Sequence, residues 1–271
     1  MNKKKQILRT LLLILVISFG VIISLSFREN KVEVNLTANE YKVLTVQGRI
    51  VFEQSGKDMQ SGDVYVTGTP LEFTTPSSRA AIINDVNGRY VISASKGKLR
   101  VLPAANNVTS RGGAILNVVD LKNHFSGRYL VIKRAEVQVG SEAFPMTDEK
   151  FFYLTYEHNG ESIPKKLRSE GDFLILDAAE IFMIDGAAIP VEEKEMTLYY
   201  KGEKTLKIST FTPVFADATQ LKKEVSILLE TFQKETNTKK IDEVTAFLIE
   251  FYGNPSKENL ASWLKAEFSL E

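Results

Sequence analysis

Three different spacings of apolar residues follow one another along the chain. Leu11–Phe27 is a run of 17 residues without a charge, preceded by Lys3, Lys4, Lys5 and Arg9. At about 1.5 Å per residue it spans roughly 25 Å, the lower limit for crossing a hydrocarbon core about 30 Å thick. From Tyr41 the apolar residues come instead in short runs rich in β-branched and aromatic side chains: Val43–Val46, Ile50–Phe52, Val64–Val66, Ala80–Ile83, Arg89–Ile92 and Leu99–Leu102. Turn-forming stretches such as Ser55-Gly56, Ser61-Gly62-Asp63, Asp85–Gly88 and Lys96-Gly97 separate them. Strands punctuated in this way each bury one face and turn back, which predicts a β-sandwich or small barrel.

Beyond the polar loop Pro103–Gly113, strands are predicted over Gly113–Leu121, Arg128–Lys133, Glu136–Val139, Lys150–Tyr156, Asp172–Leu176, Ile181–Ile184, Met196–Tyr200 and Thr205–Ile208. Asn159-Gly160 predicts a type I′ hairpin, and Asp185-Gly186 and Lys201-Gly202-Glu203 mark two further turns. Tyr199 and Tyr200 must point to opposite faces of their strand, so at most one joins the core. At Pro213 the period changes. Leu221, Val225, Leu228, Leu229 and Phe232 recur at helical spacing, and Ile241, Val244, Leu248 and Phe251 repeat it. Gly253 ends the second helix, and a third is predicted from an Asn254 N-cap with Pro255 at its first position and Leu260, Trp263 and Leu264 on its apolar face. Helices this short are not stable singly in water and must pack on one another, on the β-domain or on a partner.

Val46-Gln47-Gly48-Arg49-Ile50, Ser61-Gly62-Asp63, Thr74–Ile82 and Gly88-Arg89-Tyr90-Val91-Ile92 together resemble the extracytoplasmic domain of FecR-type regulators. The resemblance covers about Val43–Leu102 and implies a non-enzymatic β-module outside the cytosol. Members of that family carry a cytosolic sigma-factor-binding region before the span, where only a few residues stand here, so an anti-sigma role is not expected. The same stretch is also similar to the carboxypeptidase-regulatory-like β-sandwich of Bacteroidetes envelope proteins, which carries the same implication.

Charge places the compartment. Basic residues before the apolar run, against mixed Arg28, Glu29 and Lys31 after it, orient the N-terminus to the cytosol and export the remainder. Ser24-Leu25-Ser26 could serve as a cleavage site, but an uncleaved anchor is favoured over a signal peptide, because the run is long, ends in bulky Leu25 and Phe27 and has no Ala-x-Ala. The expected organisation is a signal-anchor at residues 1–28, a FecR-like β-domain at 29–104, a second β-rich region at 105–212 and a helical segment at 213–271. The chain is thus expected in the inner membrane as a single-pass protein, with its bulk periplasmic.

Thirty-four basic residues balance 34 acidic ones, which gives no long-range attraction to nucleic acid. The absence of cysteine removes disulfides, thiolate metal sites, lipoprotein acylation and thiol nucleophiles. No phosphate loop, zinc spacing or nucleophile elbow is present, and His124 and His158 lie on separate segments. Glu192-Glu193-Lys194-Glu195 reads as a solvated connector and Asp85–Gly88 as turn chemistry. No catalytic residue, metal or cofactor is assigned.

The leading expectation is a membrane-tethered, non-catalytic interaction or scaffolding module with an envelope protein partner. Its interaction face would be Leu221, Val225, Leu228, Phe232 and Trp263. The alternative is a periplasmic glycan- or peptidoglycan-binding module using Tyr199 or Trp263 as stacking platforms. An envelope hydrolase built on one of the histidines stands third.

Overall fold

A computed structural model describes residues 39–84, 86, 88–94, 100–101 and 113–271. The predicted span Leu11–Phe27, and the predicted loop Pro103–Gly113 up to its last residue, lie outside them. Among the described residues no helix is long and apolar enough to cross a membrane. The chain is mainly β, with several sheets and a C-terminal helical region.

Strands β1 (Glu40–Gln47), β2 (Ile50–Phe52), β3 (Lys57–Asp58), β4 (Val64–Val66), β5 (Leu71–Phe73), β6 (Arg79–Asn84), β7 (Gly88–Ser93) and β8 (Arg100–Val101) form two antiparallel sheets, ordered β4-β1-β6-β7-β8 and β3-β2-β5. The central strand β6 reads Ala80-Ala81-Ile82-Ile83 without a polar break because both of its faces are covered. Ala80 and Ile82 join Tyr41, Val43, Ile50, Met59 and Ile92 in a core that Phe52, Leu71 and Phe73 of the smaller sheet close. Ala81 and Ile83 point the other way, with Leu44 and Val91, into a core they share with the C-terminal helices.

The next elements are α1 (Val118–His124), β9 (Gly127–Ile132), β10 (Arg134–Gln138), β11 (Phe151–His158), β12 (Glu161–Lys166), β13 (Ser169–Glu170), β14 (Phe173–Asp177), α2 (Ala178–Ile181), β15 (Met183–Ile184), β16 (Ala187–Ala188), β17 (Met196–Lys201) and β18 (Thr205–Ala216). Helices α3 (Ala218–Thr231) and α4 (Asn237–Phe251), the short β19 (Asn254–Pro255) and helix α5 (Lys257–Phe268) complete the chain. A six-stranded sheet runs β12-β11-β17-β18-β9-β19, and a three-stranded one β10-β14-β13. Its β9 repeats the logic of β6. Tyr129 and Val131 enter the core of the β-region, and Leu130 and Ile132 enter the helical core. Two sheets therefore bury one face each against the same helices.

Four predicted elements are corrected by local chemistry. Gly113–Leu121 is not a strand. Asn117 accepts a hydrogen bond from the Asp120 amide at 2.9 Å and starts helix α1, leaving only an isolated bridge at Ile115. Helical structure begins at Ala218, where Asp217 caps α3, rather than at Pro213. Pro213 lies inside β18, beyond the last residue paired to β17 (Phe211), so that flank of the strand has no partner there and the missing N–H costs no ladder bond. Asp177 caps a helical turn at Ala178–Ile181, which takes Ile181 from the strand expected at Ile181–Ile184 and leaves Met183–Ile184 as the strand. The last helix is capped by Ser256, not Asn254, because Asn254 and Pro255 pair with Tyr129 and Leu130 in parallel register.

The C-terminal end of α4 is where the two sheets meet the helices. Its last carbonyls have no intrahelical donors. Phe251 O accepts from Gln47 Nε2 of β1 at 2.7 Å and from Arg128 of β9 at 2.8 Å, and Glu250 O accepts from Arg79 of β6 at 3.3 Å. Two guanidinium groups at a helix C-terminus also complement its dipole. The chain leaves this helix through Gly253 at φ 106°, where an added Cβ would lie 2.3 Å from the Arg128 carbonyl oxygen. Gly253→Ala is expected to cost about 2–4 kcal/mol, from the left-handed backbone and the displaced β9 contact, read as a lower thermal midpoint.

Glu224 of α3 is 1% exposed and holds β1 and α4 to that helix. The Tyr252 hydroxyl donates to it at 2.5 Å and Gln220 Nε2 at 2.8 Å, and Thr45 of β1 adds a third bond. Burial raises its pKa above 4.5, and these hydrogen bonds offset that only in part. A carboxyl raised in the folded state binds more protons there than in the unfolded chain. Its contribution is complete below its unfolded pKa and is lost as pH climbs through the folded value. Glu224→Gln keeps the shape without the charge, so it is expected to raise stability at pH 7 relative to pH 4, checked by chemical denaturation at both.

Candidate functional site

The structure places the predicted interaction face inside the chain. Leu221, Val225 and Leu228 are 1%, 0% and 0% exposed, and Trp263 is 6% exposed. Phe232 is partly buried against the same core. The partners of this stripe are Leu44, Ala81, Ile83 and Val91 of one sheet and Leu130 and Ile132 of the other. These five residues therefore act as internal mortar.

The histidines lie apart in kind as well as in sequence. His124 ends α1 with Nε2 2.9 Å from the Tyr129 hydroxyl, packed on the Phe125 ring. His158 sits at the tip of the β11–β12 hairpin beside Asn159. The hairpin itself is as predicted, with Asn159 at φ 53° and Gly160 at φ 80°.

What remains open is the outer face of the six-stranded sheet over β12, β11, β17 and β18. Side chains on β11 alternate: Phe152, Leu154 and Tyr156 enter the core, while Phe151, Tyr153 and Thr155 stay partly exposed on the other side. Strand β17 behaves likewise. Tyr200 is buried, its hydroxyl donating to the Pro145 carbonyl at 2.9 Å, and Tyr199 is left on the open face.

Register assembles these residues into rows across the sheet. Directly opposed residues share a face, and the pairs Lys166↔Tyr153, Tyr153↔Tyr199 and Tyr199↔Lys207 make one continuous row of Lys-Tyr-Tyr-Lys across four strands. Three inter-strand steps of about 4.8 Å make that row roughly 14 Å long. Its two tyrosine rings stack, with centroids 5.0 Å apart and planes within 12°. On one side of it lie Pro164, Thr155, Thr197 and Thr210, the last two with hydroxyls 3.1 Å apart. On the other side, Phe151 pairs with Lys201. Lys166 Nζ stands 4.5 Å and Lys201 Nζ 5.2 Å from the Phe151 ring centre, two cation–π contacts on one ring.

At Phe151 and Lys166 the face runs into a cleft of about 620 Å³, bounded on its far side by Met146–Asp148 and Leu167–Ser169. Arg168 at its rim is held by Glu180 at 2.7 Å and by Glu170. The arrangement offers aromatic surface, hydroxyls and ammonium groups along one line, which suits reversible binding. No group of three or more His, Cys, Asp or Glu residues able to hold a metal is found among the described residues.

Tyr199 is the one aromatic named from the sequence as a platform that the structure leaves on an open surface. Tyr153, Phe151 and the lysines were missed. The signal for them was the alternation of Phe151–Tyr156, which already separates two faces. Which face would be covered depends on pairing with residues about 45 positions away, and that is not visible locally.

No protein-family model matches this chain, and no curated protein matches it.

Proposed function

We propose that the chain is a non-catalytic polysaccharide-binding module of the bacterial envelope, held at the membrane by Leu11–Phe27 and binding through the open face around Tyr153 and Tyr199. The observation that carries this reading is the Lys-Tyr-Tyr-Lys row itself. A solvent-facing sheet surface ordinarily favours charged and small polar residues, and partly exposed aromatics in a line mark a binding surface. Sugar rings present C–H faces that pack on aromatic carbon and hydroxyls that pair with threonine and lysine donors. The extracytoplasmic setting is supported by the charge asymmetry about Leu11–Phe27 and by the resemblance of Val43–Leu102 to exported β-modules.

A protein-scaffolding role is less favoured here. Of its three grounds, the anchor, the absence of catalytic signals and the amphipathic helices, the third no longer favours it, because the chain's own sheets cover the helices.

The test uses the full-length chain in detergent with purified, insoluble cell-wall polysaccharide. Retention is expected for the native protein. A roughly tenfold or greater loss is expected for Tyr153→Ala/Tyr199→Ala, with the thermal midpoint moving little because both rings are partly exposed. Equal retention of the double variant would overturn the assignment of this face.

A further inference from the structure

We infer that the ligand of this face is an acidic polysaccharide, with its carboxylates taken by the ammonium groups that flank the aromatic row. The inference rests on the proposed function and specifies its substrate class. Three lysines stand on the open face near Phe151, Tyr153 and Tyr199: Lys166 on β12, Lys201 on β17 and Lys207 on β18. Two of them approach the same ring, at 4.5 and 5.2 Å. The two ammonium groups approach that ring from the strands on either side of β11, so each can meet an anion while keeping its cation–π contact.

The local carboxylates do not neutralise this cluster. Lys166 meets Asp148 at 3.7 Å, but that carboxylate is fully exposed, at a geometry worth little in water. Lys201 and Lys207 have no ion-pair partner among the described residues. By contrast, Arg168 at the cleft rim is already engaged by Glu170 and Glu180, which leaves the lysines as the available cations. Besides Asp148, the acidic side chain of β11 on this face is Glu157, which stands at its far end opposite Ser162.

The geometry divides the labour. The Tyr153–Tyr199 pair, whose rings face each other, offers its outer ring surfaces, edges and hydroxyls to sugar C–H and hydroxyl groups, and the lysines at both ends of the row, together with Lys201, donate to carboxylates on the same or neighbouring units. A row of roughly 14 Å accommodates a few sugar units. Charge-assisted contacts between ammonium and carboxylate are stronger than neutral hydrogen bonds and weaken with added salt.

The deciding experiment measures binding of the full-length chain in detergent to oligogalacturonate and to the same oligomer as its methyl ester, which differs only in charge. The acid form is expected to bind at least about tenfold tighter, and that preference is expected to shrink at high ionic strength. Lys166→Gln/Lys201→Gln/Lys207→Gln should abolish the preference, whereas Tyr153→Ala/Tyr199→Ala should weaken both forms together. Equal binding of acid and ester overturns the acidic ligand and leaves the polysaccharide reading standing. Acid binding that needs the lysines but not the tyrosines supports the anion contacts and removes the stacking role on which the polysaccharide reading depends. Binding of neither form overturns the inference.

Discussion

Phe251→Ala is expected to lower the free energy of unfolding by about 3–5 kcal/mol, the range for removing a fully buried aromatic ring. Phe251 is 0% exposed at the last turn of α4. Its ring packs on Phe247 with centroids 5.7 Å apart and lies under the Arg79 guanidinium at 4.9 Å. Its carbonyl receives Gln47 and Arg128, one from each sheet. Truncation therefore opens a cavity at the point where both sheets join the helices, and it removes the surface on which Arg79 rests. Chemical denaturation of native and variant protein measures the loss, which should appear as one shifted transition if the sheets unfold with the helices. A change under about 1 kcal/mol would mean that α4 does not join them.

The same comparison bears on function. A variant at Phe251 should lose stability without a specific loss of the proposed binding at temperatures where it remains folded, because Phe151, Tyr153 and Tyr199 are not among the residues of the helical core. Tyr153→Ala/Tyr199→Ala should do the reverse. By register the proposed binding residues Tyr153 and Tyr199 share the sheet face that packs on the helices farther along, at Leu130 and Ile132, so the two roles are separated along that face rather than across the sheet.

Much of this architecture is legible residue by residue. The continuous apolar run of β6 and that of β9 announce strands covered on both faces, and the periodic leucines of α3 announce a buried stripe. Local pattern cannot say what covers them. A stripe such as Leu221-Val225-Leu228 reads the same whether its partner is another protein or a strand more than 100 residues earlier in the chain, here β6. Capping residues caused the boundary errors. Asn117, Asp177 and Ser256 each turn an extended segment into a helix through one side-chain hydrogen bond, and each was preceded by residues equally able to continue a strand. Tyr199 was identified because alternation alone exposes it. Tyr153, Lys166 and Lys207 required the register of four strands.

A second large effect is expected on acidification. His124 is packed among Phe125 and Tyr129, and burial lowers its pKa from 6.5 to about 4, with the Glu258 carboxylate countering only part of that. A histidine depressed in the folded state binds fewer protons there than in the unfolded chain, so stability falls as pH drops below the unfolded value. Between pH 8 and pH 5 the loss at this one site is on the order of 2 kcal/mol, at 1.36 kcal/mol per unit over the part of the shift traversed. Glu224 acts in the opposite sense, so total stability is a poor readout. The informative quantity is the difference between the native chain and His124→Gln, which carries no titrating group. The native chain should lose about 2 kcal/mol more than the variant over this range, measured by urea denaturation. Parallel curves would show that His124 keeps an ordinary affinity for protons. That would also reopen a chemical role for a histidine that, neutral and bonded to the Tyr129 hydroxyl at 2.9 Å, serves here to fix α1 against β9.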